Sequence, residues 1–218
     1  MKTFAEKNWP DTELAVAYSL NFVQMCFRYD SDTWSDFYES CCKHCSDYSI
    51  QKRDFECPKS GFSKKDYFIL DTCDYGISEK VKNDLIDFGI DDCNFRPIYT
   101  RGHKLILGWQ ISPQYVLSPT YNVNGFFKKL ICKECDFYKY ERFEKYTDSY
   151  LFNGYGYPHF ITKEALEQLN GFHLAYTSDK LCVYISKKLY QMLVQKYPRI
   201  ECRPVFLGSI KEYSQSFL

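Results

Sequence analysis

The chain has 218 residues, of which 45% are hydrophobic and 26% charged, and its 28 basic residues balance its 28 acidic ones. This composition predicts a globular protein with a substantial core rather than a disordered one. The zero net charge makes nucleic acid an unlikely partner, because basic residues that neutralise phosphate supply most of the affinity of nucleic-acid-binding proteins. No apolar run is long enough for a transmembrane helix or a signal peptide. We therefore expect a cytoplasmic protein with no membrane partner, whose 11 cysteines are reduced.

The predicted elements begin with an apolar strand within residues 15–27. A first unit, residues 66–112, follows. It contains a short strand at 67–70 and a helix that Ser78 caps and Gly89 ends, because apolar residues recur there at helical spacing. A strand at 93–99 and a hairpin partner at 105–111 complete this unit.

A second unit, residues 161–207, has the same order. A helix capped by Thr162 and stopped at Asn170-Gly171 precedes a strand at 172–176. Ile185-Ser186 opens the next helix, and residues 200–206 form the closing strand.

The two units share sequence features at both ends. Each has Ile-Ser at the start of its helix, a lysine two residues after that serine, and Arg-Pro in its closing strand, with a single one-residue gap between the copies. The sequence therefore predicts an α+β fold in which two repeated strand–helix–strand units lie on mixed sheet. We expect residues 1–218 to form a single interlocked unit.

Two Cys-x-x-Cys pairs carry the strongest chemical signal: Cys42 with Cys45, and Cys132 with Cys135. Two such turns can hold one zinc ion between four thiolates, at about 2.3 Å from each sulfur. We call residues 42–45 and 132–135 the first and second knuckle, and predict a zinc-knuckle region formed by residues 36–58 with 126–142. A site closed by four thiolates is structural, because it has no open position for water or substrate.

Two alternatives stay open for these cysteines. Cys41 or His44 can replace a ligand of the first knuckle, and a single Cys-x-x-Cys pair can instead be a buried or redox-active pair of thiols. The predicted cofactor is nevertheless a structural Zn²⁺ ion, since two pairs together complete a tetrahedral set.

The sequence contains no recognisable catalytic motif. The four histidines are scattered, and no phosphate-binding glycine loop, nucleophile elbow or dinucleotide fingerprint is present. We therefore predict that the protein is not an enzyme.

Charge is distributed unevenly between the two predicted units. Residues 71–92 are acidic on balance, whereas residues 179–203 are basic on balance. The asymmetry is typical either of two solvated helix faces or of electrostatic steering of a charged partner.

The chain resembles the double-CxxCG immunity family of bacterial polymorphic-toxin systems. The four knuckle cysteines and the segment from Phe172 to Phe206, with its serine-opened helix and Arg-Pro strand, carry the resemblance. Ser46 and Asp136 stand where that family has a glycine after each pair. The resemblance implies a cytoplasmic immunity protein that binds and neutralises a cognate toxin without catalysis. The alternative is a zinc-ribbon nucleic-acid-binding or regulatory adaptor.

If the partner is a toxin, we expect the acidic unit to bind it. Toxins that attack nucleic acid carry basic clefts, which a carboxylate-rich face can occupy while it accelerates association. The predicted partner-binding residues are Asp84, Asp87, Asp91 and Asp92.

Overall fold

The structure of the chain is a computed structural model. It describes residues 2–8, 12–22, 34–40, 42–44, 49–59, 62, 65–70, 74–102, 104–118, 127–134, 138–142, 159–177, 180 and 182–208.

The fold is α+β, with two curled mixed sheets and few helices among the described residues. The elements, in chain order, are α1 (Phe4–Asn8), β1 (Ala17–Leu20), α2 (Trp34–Phe37), β2 (Tyr38–Ser40), β3 (Ser49–Gln51), β4 (Phe55–Cys57), β5 (Tyr67–Ile69), β6 (Tyr75–Ile77), α3 (Glu79–Phe88), β7 (Phe95–Thr100), β8 (Ile106–Ile111), β9 (Phe127–Ile131), β10 (Tyr138–Arg142), β11 (His159–Ile161), α4 (Lys163–Phe172), β12 (Leu174–Tyr176), β13 (Val183–Ser186), α5 (Lys187–Lys196) and β14 (Cys202–Leu207).

The chain divides into two compact units. Unit 1 contains Met1–Asn21, Tyr115–Ile131 and Tyr138–Leu218, and unit 2 contains Phe22–Gln114 and Cys132–Phe137. The sequence prediction that residues 1–218 form a single interlocked unit stays a prediction.

Unit 1 is built on a five-stranded sheet of order β11-β14-β1-β13-β12. The pair β11–β14 is parallel and the other three pairs are antiparallel. Its core combines apolar residues of the sheet with the apolar face of α4, where Ala165 and Leu169 are fully buried. The helix therefore covers the sheet through the face that its sequence period predicts.

Unit 2 is built on a second five-stranded sheet, of order β4-β7-β8-β6-β5. The pair β4–β7 is parallel and the other three pairs are antiparallel. Aromatic and aliphatic side chains from α2 and the sheet, including Phe37, Phe55, Phe68 and Ile98, form its core.

The predicted helix caps are confirmed. The hydroxyl of Ser78 accepts from the backbone N–H of Val81, and Thr162 caps α4 in the same way. Gly89 ends α3 with φ at 109°, a left-handed conformation that glycine adopts without strain.

The structure differs from the local predictions at two places. Helix α4 runs through Asn170-Gly171 to Phe172, and His173 ends it with φ at 63° rather than lying in a strand. Strands β6 and β13, which precede α3 and α5, were not predicted, because three- or four-residue strands that merge into a helix cap give no clear alternation.

Candidate metal centre

Each knuckle lies in the connection of a two-stranded hairpin. Strands β2 and β3 pair antiparallel with Ser40 opposite Ser49, and the first knuckle lies between them. Strands β9 and β10 pair antiparallel with Ile131 opposite Tyr138, which places the second knuckle in their connection. Both Cys-x-x-Cys sequences therefore lie in the chain between two paired strands.

The first cysteines of the two knuckles meet in unit 2. The Sγ atoms of Cys42 and Cys132 are 3.6 Å apart. A disulfide would require about 2.0 Å. Two thiolates on one tetrahedral zinc ion, with Zn–S bonds of about 2.3 Å, lie about 3.8 Å apart. The observed separation does not fit a disulfide; it fits two ligands of one zinc ion and equally a hydrogen bond between two thiols.

The two cysteines differ in burial. Cys42 is only 5% exposed, and the Ser40 hydroxyl donates to its carbonyl oxygen at 3.1 Å. Cys132 is half-buried, and Lys133 and Glu134, which follow it in a turn, are exposed.

The remaining predicted ligands, Cys45 and Cys135, lie outside the described residues, as does the alternative ligand Cys41. His44 is described and exposed. Within the described part of the chain, no three histidine, cysteine or carboxylate side chains form a metal-binding group, so His44 does not join the two thiols.

The four predicted partner-binding aspartates are placed in two local settings. Asp84 and Asp87 lie on α3, half-buried and exposed respectively. Asp91 and Asp92 follow the helix at a short 3₁₀ turn and are exposed.

Asp91 and Asp92 have structural contacts of their own. The Asp91 carboxylate accepts from the backbone N–H of Cys93 at 2.9 Å, a hydrogen bond that lowers the pKa of Asp91. Asp92 accepts from the Nζ atom of Lys82 at 2.7 Å.

Lys82 is a charged residue whose burial the sequence analysis missed. It is 6% exposed, and its ammonium group lies 3.3 Å from the centroid of the Trp109 ring in addition to its contact with Asp92. Trp109 in turn donates its indole N–H to Glu79. A lysine in the first turns of an amphipathic helix gives no signal of such burial, because lysine usually lies on the solvated face.

A serine–histidine contact in unit 1 resembles part of a catalytic arrangement. The Nδ1 atom of His173 is 2.9 Å from the Ser186 hydroxyl oxygen. That oxygen also accepts from the backbone N–H of Leu189 at 3.1 Å, and Ser186 is 1% exposed. Because the hydroxyl is buried and caps α5, this pair is suited to stabilising the helix and not to attacking a substrate.

Comparison of the chain with models of protein families, with curated proteins and with solved structures returned no match. Among the described helices, none has the length and apolar character needed to cross a bilayer.

Proposed function

We propose that this chain is an immunity protein that binds and neutralises a cognate bacterial toxin, with a structural zinc ion and no catalysis of its own. The observation that carries the proposal is the 3.6 Å approach of Cys42 and Cys132, which supports the pairing of two knuckles on which the family resemblance depends. A four-thiolate centre stabilises a fold and offers no position for a substrate.

The proposed ligands are Cys42, Cys45, Cys132 and Cys135. Zinc bound by them supplies folding free energy, because the ligands do not form a site in the unfolded chain. Cys42 and Cys132 are 90 residues apart in sequence, so the centre closes a long loop.

Elemental analysis tests the metal. We expect one zinc ion per chain in protein purified without added metal. Cys132→Ser is expected to lose the zinc and several kcal/mol of unfolding free energy. Cys93→Ser is the matched control, since Cys93 is exposed and outside both knuckles. Full stability in the absence of zinc would contradict the proposed centre.

Co-expression tests the immunity function. The probe is the toxin domain encoded beside this chain, and we expect the chain to restore growth and to form a stable complex with that domain. Growth inhibition that persists although both proteins are produced would contradict the proposal.

The proposed partner face is the acidic set Asp84, Asp87, Asp91 and Asp92. Asp84→Asn with Asp87→Asn tests it without disturbing the Asp91 turn or the Lys82 ion pair. We expect slower toxin association and a weaker dependence of its rate on salt. Glu164→Gln with Glu167→Gln removes the same charge from exposed positions of α4 and serves as the control. Equal association rates for the two variants would contradict the proposed partner face.

The alternative function is a zinc-ribbon nucleic-acid-binding or regulatory adaptor, which the two paired knuckles also suit. A mobility-shift assay with mixed DNA and RNA separates the two functions. Binding that weakens steeply with salt would favour the adaptor.

We also propose that the two units contain copies of one strand–helix–strand repeat. The register in which the strands pair supports this repeat. In unit 2, Ile77 of β6 lies opposite Tyr67 of β5 and Trp109 of β8. In unit 1, Ile185 of β13 lies opposite Leu174 of β12 and Tyr18 of β1. Both isoleucines directly precede the serine that caps the helix.

The environment of the two capping serines supports the same alignment. Ser78 donates its hydroxyl to Asp66 at 3.1 Å, and its N–H bonds to the Asp66 carbonyl at 2.9 Å. Ser186 makes the corresponding two contacts with His173, both at 2.9 Å. Asp66 and His173 lie directly before β5 and β12, which pair with β6 and β13, the strands that lead into the capping serines.

A buried cross-strand pair gives a third line of support. Phe68 lies opposite Gly76 in unit 2, whereas Ala175 lies opposite Tyr184 at the corresponding place in unit 1. One member is large and the other small in both pairs, with the sizes exchanged between the strands. Such compensation is expected when two copies keep the same backbone and core volume.

A further inference from the structure

We infer that each half of the chain is one complete copy of a longer repeat, and that the two halves have exchanged their central strands. The inference rests on the proposed strand–helix–strand repeat and extends it to every strand of both sheets. The first half is residues 1–102 and the second half is residues 104–208.

The order of elements along the chain is the same in both halves. The first half runs β1, the hairpin β2–β3 with Cys42, then β4, β5, β6, α3 and β7. The second half runs β8, the hairpin β9–β10 with Cys132, then β11, β12, β13, α5 and β14. The knuckles thus occupy equivalent places, and α1, α2 and α4 are additions to the shared order.

The exchange concerns the first strand of each half. Strand β1 lies between β13 and β14, which are both second-half strands. Strand β8 lies between β6 and β7, which are both first-half strands. Each half therefore gives the sheet of the other its middle strand, which is the arrangement of a domain swap within one chain.

The register of the exchanged strands matches residue by residue. Tyr18 lies opposite Ile185 and Pro204, and Trp109 lies opposite Ile77 and Pro97. Both prolines belong to the Arg-Pro pairs that the two halves share.

The contacts beyond the ladders continue this alignment. Three residues after Tyr18, the N–H of Asn21 bonds to the carbonyl of Glu201 at 3.0 Å. Three residues after Trp109, the N–H of Ser112 bonds to the carbonyl of Asn94 at 2.8 Å. Glu201 and Asn94 each lie two residues before the arginine of the Arg-Pro pair. A one-residue slip would break these matches and turn every side chain of the strand to the other face.

The parallel edge follows the same alignment. Phe55 of β4 lies opposite Ile98, and His159 of β11 lies opposite Val205. Ile98 and Val205 are each the residue after the shared proline. The aligned pairs therefore share one register across the five strands of each sheet, up to a register shift that unit 2 has between Ile98 and Tyr99 of β7.

Strand exchange within the full-length chain tests the inference. In the in-register variant, residues 16–21 and 107–112 replace each other, which places Trp at position 18 and Tyr at position 109. We expect a single cooperative unfolding transition with a Tm within about 10 °C of the parent. In the matched control, residues 106–111 replace 16–21 and residues 15–20 replace 107–112. This control inserts the same strands one residue out of register, and we expect it to lose cooperative unfolding. If both variants fold and unfold cooperatively with the same Tm, the inference is overturned.

If neither graft folds, a double substitution tests the same equivalence of positions. Lys82→Tyr with Trp109→Tyr places the Tyr18–Tyr190 pair of unit 1 into unit 2. We expect its loss in Tm to be smaller than the sum of the two single losses, and an additive or larger loss would count against equivalent positions. Failure of the Phe68–Gly76 size exchange, described below, would instead refute the underlying repeat.

Discussion

The two units place a helix over the same position of the central strand, but they make the contact with different chemistry. In unit 1, Tyr190 of α5 stacks on Tyr18 with ring centroids 3.4 Å apart and planes 15° apart. In unit 2, Lys82 of α3 lies over Trp109 and pairs with Asp92. The backbone register is the same in both, so the face of the aromatic ring on the central strand can pack either against a second ring or against an ammonium group.

The parallel edge strands differ in a similar way. Phe55 is fully buried in the core of unit 2, whereas the corresponding residue of unit 1 is His159. The Nδ1 atom of His159 is buried with no hydrogen-bond partner in the described part of the chain. Unit 1 thus retains a polar group at a place where unit 2 has an apolar one, which costs stability.

The largest expected effect comes from the buried pair whose sizes are exchanged. Phe68→Ala is expected to cost about 3–5 kcal/mol through the cavity that it leaves. Gly76→Tyr alone is also destabilising, because a Cβ atom at Gly76 would lie 1.9 Å from Phe68 Cε2. The double variant reproduces the Ala175–Tyr184 pair and should recover more than half of the loss from Phe68→Ala. Urea unfolding of the three variants measures this, and a double variant as unstable as the sum of the singles would break the comparison.

The second effect concerns His159. Burial, with a smaller contribution from the Arg203 charge, lowers the pKa of His159 to about 4 from its ordinary 6.5. The unfolded chain therefore binds a proton first as the pH falls. The contribution of His159 to the unfolding free energy is therefore highest above pH 6.5. It decreases as the pH falls towards about 4, by on the order of 3 kcal/mol in total.

His159→Phe copies unit 2 and should raise the unfolding free energy while removing this part of the pH dependence. Chemical denaturation between pH 4 and 7 measures both changes, with a substitution of the exposed His44 as the control. An unchanged pH profile would show that position 159 does not correspond to Phe55 in its burial.

The smallest expected effects separate the two helix contacts. Asp92→Asn leaves the buried Lys82 ammonium without its carboxylate and should cost about 1 kcal/mol, since Asp92 itself is 69% exposed.

Tyr190→Phe should be neutral or slightly stabilising. The reason is that the Tyr190 hydroxyl has no partner in hydrogen-bond geometry among the described residues, so its removal breaks no hydrogen bond there. Burial raises the pKa of Tyr190, and the nearby Thr3 side chain opposes that rise. Equal losses from the two substitutions would contradict this difference.

Much of the local structure was predictable. Helices α3 and α5, the caps at Ser78 and Thr162, and the glycine that ends α3 follow from apolar spacing and from short-range capping chemistry. The pairing of the two knuckles was predicted from the spacing of four cysteines. The approach of Cys42 and Cys132 is compatible with that pairing, which stays a prediction.

Burial of individual polar groups was not predictable from the sequence. Lys82 and His159 lie in segments whose periodicity does not distinguish them from solvated residues. Lys82 packs on Trp109, and β11, which carries His159, pairs with β14, so both environments come from strands distant in sequence. A single sequence without aligned relatives gives no sign of such contacts, because a pattern records periodicity and not the partner across the sheet.

By itself, the sequence determined helices α3 and α5, the start of α4, the caps of these helices and the sequence features that the two units share, because those features depend on residues a few positions apart. Only the tertiary structure decided that β1 pairs with β13 and β14 while β8 pairs with β6 and β7. If the two halves are copies of one repeat, a central strand such as β1 or β8 has equivalent partners in both halves. Which of them it joins is therefore determined by the packing and loop closure of the whole chain, and not by its own residues.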